Sequence, residues 1–247
     1  MFFNSLQQFV TRLRGSQRLA TRRTVRSRGY EGLERLEDRT LLSAGTLDAN
    51  FGNLGRTVTD LTTVSGVASD VANSVAIQSD GKYIVAGVSS TFITQGILSR
   101  YNTNGTLDPT FGAGGSIASS FFAGGFTGMA IEPDGSIVAS GQVNDVNGNS
   151  YFGVLKVTSA GLLDPTFGIN GLAIADFANL GFGYTAEFPH ALTLQGSSIV
   201  VAGEGVSFFG DKDMLVARFT ASGNLDATFN TGGNVPGEEA VFFDLGG

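Results

Sequence analysis

The sequence predicts an all-β fold, a β-propeller-like array of four-stranded antiparallel blades, three complete and one partial, behind a short non-β N-terminal leader. Three observations predict it. A Leu-Asp-x-x-Phe motif recurs four times, with its acids at Asp48, Asp108, Asp164 and Asp226, and spacings of about 60 residues are the mark of a repeat architecture. Asp-Gly pairs stand between apolar runs at Asp80-Gly81 and Asp134-Gly135, a strong hairpin signal because both residues tolerate the positive φ that a tight two-residue turn needs. Glycine accounts for 36 of 247 residues, without the one-in-three period of collagen, which suits many tight turns between short strands.

The chain divides at about residue 45. Residues 1–44 form a leader with Arg12, Arg14, Arg18, Arg22, Arg23, Arg26 and Arg28 and no acid before Glu31. Its arginines run on too long, with no apolar stretch after them, for an ordinary secretory signal. A nucleic-acid-binding arm and a disordered tail are the readings left open, with the tail preferred on composition. Leu33, Leu36 and Leu41 could line a short helix face there.

The remainder is acidic within a total charge of −7, and an acidic surface repels nucleic-acid backbones, so no nucleic-acid partner is expected. There is no cysteine, which excludes zinc-thiolate, iron-sulfur and thiol chemistry and is compatible with either side of a membrane. No run reaches the ~20 apolar residues of a spanning helix, so no transmembrane span is expected. An apolar fraction of 42% is enough for a real core.

Taken in order, the copies are 45–104, 105–160, 161–222 and a partial 223–247. Each opens with the motif, as in Gly105-Thr106-Leu107-Asp108-Pro109-Thr110-Phe111-Gly112, and a second glycine follows at Gly55, Gly115, Gly171 and Gly233. Asp before Pro is type I turn chemistry, so the acids are read as turn formers, with the Phe three residues on falling inward. A hairpin follows, from Ala76 to Gly87, Ala130 to Gly141 and Leu192 to Gly203. Its Ile84-Val85-Ala86 run lacks alternation, as in a strand buried on both faces.

A third strand carries a cation eight residues before the next turn acid: Arg100 before Asp108, Lys156 before Asp164, and Arg218 before Asp226. That spacing predicts a modest structural ion pair. The strand after each second glycine, such as Ser116 to Phe122, brings the number to four, the content of a propeller blade. A parallel solenoid is disfavoured by the hairpins.

The fourth copy reaches only Val241-Phe242-Phe243-Asp244-Leu245, the first strand of a blade. Closed propellers have about four to eight blades. The expectation is a fragment of a longer protein, or a chain that self-associates through its unfinished blade.

Leu-Asp-x-Thr-Phe-Gly, then Asp-Gly-Lys and Ile-Val-Ala-Gly, then Arg-Tyr-Asn and a new Gly-x-Leu-Asp, resembles the delta-60 repeat of large bacterial proteins. The likeness covers residues 45–247 and implies a β-propeller, with no activity attached. Leu36-Glu37-Asp38-Arg39-Thr40-Leu41-Leu42-Ser43-Ala44 resembles the N-terminal segment of planctomycete surface and exported proteins, which implies export with processing near Ala44 and a secreted or cell-surface location.

Candidate sites are sparse, and no catalytic, cofactor-binding or metal residue is expected. Asn144-Asp145-Val146-Asn147-Gly148-Asn149 places oxygen side chains at alternate positions, as calcium loops do, but the twelfth position from Asp145 is Lys156 where such a loop wants an acid. A polar hairpin is the preferred reading. His190 is the only histidine and lacks the partners of a triad or zinc site. Glu187, Glu204, Asp211 and Asp213 could offer a carboxylate pair for glycoside hydrolysis if the fold brought two of them together. The expected function is a non-catalytic extracellular or cell-surface module binding protein or glycan. A polysaccharide hydrolase and a calcium-dependent adhesion module are the alternatives.

Overall fold

The fold was analysed in a computed structural model, which describes residues 46–61, 69–90, 93–181, 183–232 and 235–241. The leader and the apolar stretch from Phe242 lie outside the described residues.

The described chain forms three four-stranded antiparallel sheets. The first joins β1 (Ser69–Ile77), β2 (Tyr83–Ser90), β3 (Thr94–Tyr101) and β4 (Ser116–Ser119) in that spatial order. The second joins β5 (Phe126–Ile131), β6 (Ile137–Asn144), β7 (Ser150–Val157) and β8 (Leu172–Ala175) likewise. The third joins β9 (Tyr184–Gln195), β10 (Ser198–Ser207), β11 (Lys212–Phe219) and β12 (Glu238–Val241). Inner strands of successive sheets meet, β1 against β5 and β5 against β9, as blades do around a propeller axis.

The blades are offset from the sequence repeat. Each outer strand comes from the copy after the one that supplies the first three, because the Leu-Asp turn is the connection between third and fourth strands. The fourth copy therefore opens no new blade. Its strand Glu238–Val241 pairs with β11, Leu215 opposite Ala240, and completes the third sheet.

The fourth turn also holds a four-residue insertion. Gly115 and Gly171 close their turns by donating N–H to the carbonyls of Phe111 and Phe167, at 2.8 Å each, and Gly237 does the same to Phe229 at 2.9 Å. Gly237, rather than Gly233, is thus the second glycine of that copy. In the first copy, residues 56–61 form no strand of these sheets.

Two cores lie between the blades. Ile84, Ala86 and Leu98 of the first blade pack on Phe126, Met129, Ile137 and Leu155 of the second. Val138, Phe152 and Val154 of the second pack on Ile199, Val201, Leu215 and Ala217 of the third. Alternate residues of the middle blade therefore serve opposite interfaces, which is why β6 is buried from Ile137 to Gly141 and reads as an apolar run rather than an alternation.

The connections to the next blade add one phenylalanine each. Phe122 and Phe177 are fully buried, and a Cβ on Gly141 or Gly153 would meet Phe122 at 2.8 or 2.9 Å. Glycine at those positions makes room for the ring.

Candidate functional site at the loop end

The two ends of the blades have different chemistry. At one end lie the Asp-Gly hairpins and the Leu-Asp turns, and this end is occupied with its own structure. Oδ1 of Asp108, Asp164 and Asp226 accepts from the backbone N–H of the residue two positions on, Thr110, Thr166 or Thr228, at 3.0 Å each. The same oxygen accepts the threonine hydroxyl at 2.6 to 2.7 Å. The acids are turn formers, as the sequence predicts.

Their second oxygen meets the strand cation. Arg100 and Arg218 reach Asp108 and Asp226 at 2.8 Å, and Lys82 also bonds Asp108 at 2.8 Å. Lys82 and Thr110 together hold the Asp108 carboxyl far below the usual range. The third copy differs. Lys156 lies 4.0 Å from Asp164 and instead meets Glu132 at 2.6 Å, because Glu132 stands where the other copies have Gln78 and Gln195 and a carboxylate holds an ammonium more strongly than an amide does.

Each cation also lies over the phenylalanine of its turn, Arg100 on Phe111 at 4.9 Å, Lys156 on Phe167 at 5.7 Å and Arg218 on Phe229 at 5.0 Å. The cassette is a structural staple repeated at the second, third and fourth turns.

The opposite end carries the connections that differ between blades. Three equivalent hairpin tips, β2–β3, β6–β7 and β10–β11, present Ile93, Val146 and the pair Phe208 and Phe209, all exposed. The two phenylalanines are 78% and 87% exposed and pack edge to face with ring centroids 5.6 Å apart. Phe121, on the crossing from β4 to β5, adds an exposed ring at the same end. These large apolar side chains stand in solvent at the tips rather than in a core. A groove of about 1100 Å³ runs along the outer strands, with Ile117, Phe121, Ile169 and Ile174 among its walls.

The single residues raised by the sequence go to separate partners. Asp145 accepts from the backbone N–H of Asn147 and Asn149, from the Asn149 amide at 2.9 Å and from the Tyr151 hydroxyl at 3.1 Å. Burial opposes ionisation there, but these four donors outweigh it and bring the carboxyl to about 2. Both oxygens are thus engaged in shaping the hairpin.

His190 is exposed, 4.0 Å from Glu204, whose other oxygen takes Lys212 at 2.8 Å. Asp213 accepts from the Tyr184 hydroxyl at 3.0 Å, and Asp211 lies in the turn of Ser207.

Glu187 is the exception, because it is buried. Its Oε1 accepts from Phe177 N–H at 2.9 Å, while the adjacent amide, Asp176 N–H, donates to Glu238 at 3.1 Å. Both glutamates are nearly sealed from solvent, and each has a second oxygen with no hydrogen-bond partner among the described residues. Burial, reinforced by Asp176 and by their mutual repulsion, pushes Glu187 up to about 8; burial and Asp176 push Glu238 to about 7. Sequence reasoning missed Glu238 because its frame placed that residue at the start of a new blade. The only signal for it was a Glu-Glu pair opening a strand.

Comparison with known families agrees with this architecture. A family model described as a domain of unknown function (DUF5122) beta-propeller matches residues 78–111, 132–167 and 198–229. Each match runs from the inner hairpin to the phenylalanine of the next turn, the part of the repeat that holds the staple. Searches of curated proteins and of solved structures returned no match. The chain is a propeller-repeat protein.

Proposed function

We propose that this propeller-repeat protein is a non-catalytic interaction module, exported or displayed at the cell surface, that takes a protein or a glycan at its loop end. The observation that carries the reading is the contrast between the ends. One end repeats a polar staple beside exposed aliphatic turn residues such as Leu163 and Ile169, while the other presents exposed phenylalanines, Phe121, Phe208 and Phe209, on connections whose sequences differ from blade to blade. A rigid scaffold with variable, exposed loops is the usual arrangement for binding. The location follows from the resemblance of residues 36–44 to an export segment, and the naming of the repeats as delta-60 from their motif.

The test is to immobilise the chain and probe it with a glycan array, with secreted proteins and with a panel of polysaccharide substrates. Retention without turnover is expected, and the double replacement Phe208→Ser with Phe209→Ser should weaken retention at least about tenfold, the effect of losing one aromatic anchor. Reproducible turnover, or retention unchanged in the variant, overturns the proposal.

A further inference from the structure

We propose that the open face of the third blade, together with the turn at Asp226–Asn230, seats the first blade of a second copy of this chain, head to tail. The inference is independent of the loop-end reading. It rests on the joint that the chain already makes twice within itself.

Three positions define one side of that joint. In the second blade they are Val138, Phe152 and Val154, fully buried under the third blade. The equivalents in the third blade are Val200, Met214 and Val216, aligned through the shared glycine at Gly141 and Gly203 and the cations Lys156 and Arg218. Here Met214 is 47% exposed and the valines only half-buried.

The other side of the joint is open at the first blade. Met129 on β5 is 8% exposed beneath the first blade, while its equivalent on β1, Val75, is 65% exposed, and Ile77 is equally open. The two bare faces are the complementary halves of the established joint.

The backbone repeats the same statement. Gly52 N–H donates to Asn104 O at 2.7 Å, Gly112 to Ala160 at 2.9 Å, and Gly168 to Ser222 at 2.8 Å, each reaching from one turn to the last residue of its own copy, beside the next turn. Asn230, at the same place in the fourth turn, finds no such carbonyl among the described residues. Phe229 is correspondingly half-buried where Phe111 and Phe167 are sealed.

One segment must yield. Residues 46–59 of the incoming copy already occupy the place on its first blade that the fourth turn would take. They are held there by Gly52 N–H on Asn104 O at 2.7 Å, by the Thr57 hydroxyl on Gly105 O at 2.7 Å, by the Tyr101 hydroxyl on Thr59 at 2.9 Å and by Phe51 edge to face on Tyr83, so the fourth turn replaces these contacts with its own while the joint seals Val75, Met214 and Val216.

Sedimentation equilibrium tests this with one variant on each face, Met214→Glu and Val75→Glu, both at exposed sites and checked for unchanged melting. The wild-type chain is expected to associate, and each variant alone to sediment as a monomer. An equimolar mixture should regain association, because one joint between unmodified faces remains. Should either variant melt early, Val216→Lys and Ile77→Lys replace the pair. A monomeric wild type, a variant that associates as the wild type does, or a mixture that stays monomeric overturns the proposal, and association by either variant alone would mark a face-to-face dimer instead.

Discussion

Asp108 and Asp48 carry the same motif position but different environments. Asp108 is buried against Lys82 and Arg100, whereas Asp48 is exposed, its carboxylate accepting from Asn50 N–H at 2.9 Å and meeting no cation among the described residues. A residue's role in a repeat is therefore set by which neighbours its copy brings. Glu187 and Glu238 show this most sharply, since neither belongs to the repeat pattern and both are sealed around the crossing at Asp176 and Phe177. Their folded-state pKa values, about 8 and about 7, lie above the unfolded value of 4.5. The folded state thus holds protons that the unfolded state releases. That contribution is complete below about pH 4.5 and is lost as pH rises through 7 and 8. Melting followed by circular dichroism is expected to show a falling Tm from pH 5 to pH 9, and Glu187→Gln with Glu238→Gln to flatten that slope. A wild-type Tm that rises over the same range contradicts the protonated pair.

At the scale of the strand, the invariant feature of each blade is the glycine in its second strand. A Cβ on Gly87, Gly141 or Gly203 would come within 1.9, 2.3 or 2.1 Å of a carbonyl oxygen on the inner strand or, for Gly125, just before it, from Val71, Gly125 or Phe188. In all three blades the register slips beside it, between Ala72 and Ser74, between Phe126 and Gly128 and between Ala202 and Gly203. The inner strand bulges toward its neighbour and leaves no room for a side chain. Gly141→Ala should therefore cost about 3 kcal/mol by overpacking against backbone that cannot retreat. Gly124→Ala, whose nearest neighbour would be Gln142 Oε1 at 3.5 Å, should be neutral within about 0.5 kcal/mol. Urea unfolding of the two variants makes the comparison. The hairpins, the turns and the cation spacing were legible in the sequence because each is local chemistry within a few residues. Pairing of Glu238–Val241 with β11 was not, since a fourth strand looks the same whether it opens a blade or closes one.

For the molecule as a whole, position in the array decides what a given residue contributes. Val154 and Val216 are equivalent residues on the third strands of neighbouring blades, and only the former is covered by a following blade. Val154→Ala is expected to destabilise by about 2 kcal/mol through the cavity it leaves. Val216→Ala, measured at dilution where the chain is monomeric, should cost less than about 1 kcal/mol. Denaturant midpoints of the two variants check this, and equal losses would mean that the third blade's outer face is covered within one chain. Stability in such an array is a sum of blade terms and joint terms, so the two open faces are where association adds most.

The sequence by itself determined the repeat, its turn acids, the strand cations and the all-β class, because recurring short-range chemistry needs no knowledge of the distant chain. Only the tertiary structure decided where each blade begins, which faces remain bare, and that Glu187 and Glu238 share one buried crossing. Those outcomes depend on pairings between different copies, such as Leu215 with Ala240 and Asp176 with Glu238, and no local pattern encodes which copy's strand a sheet edge will accept.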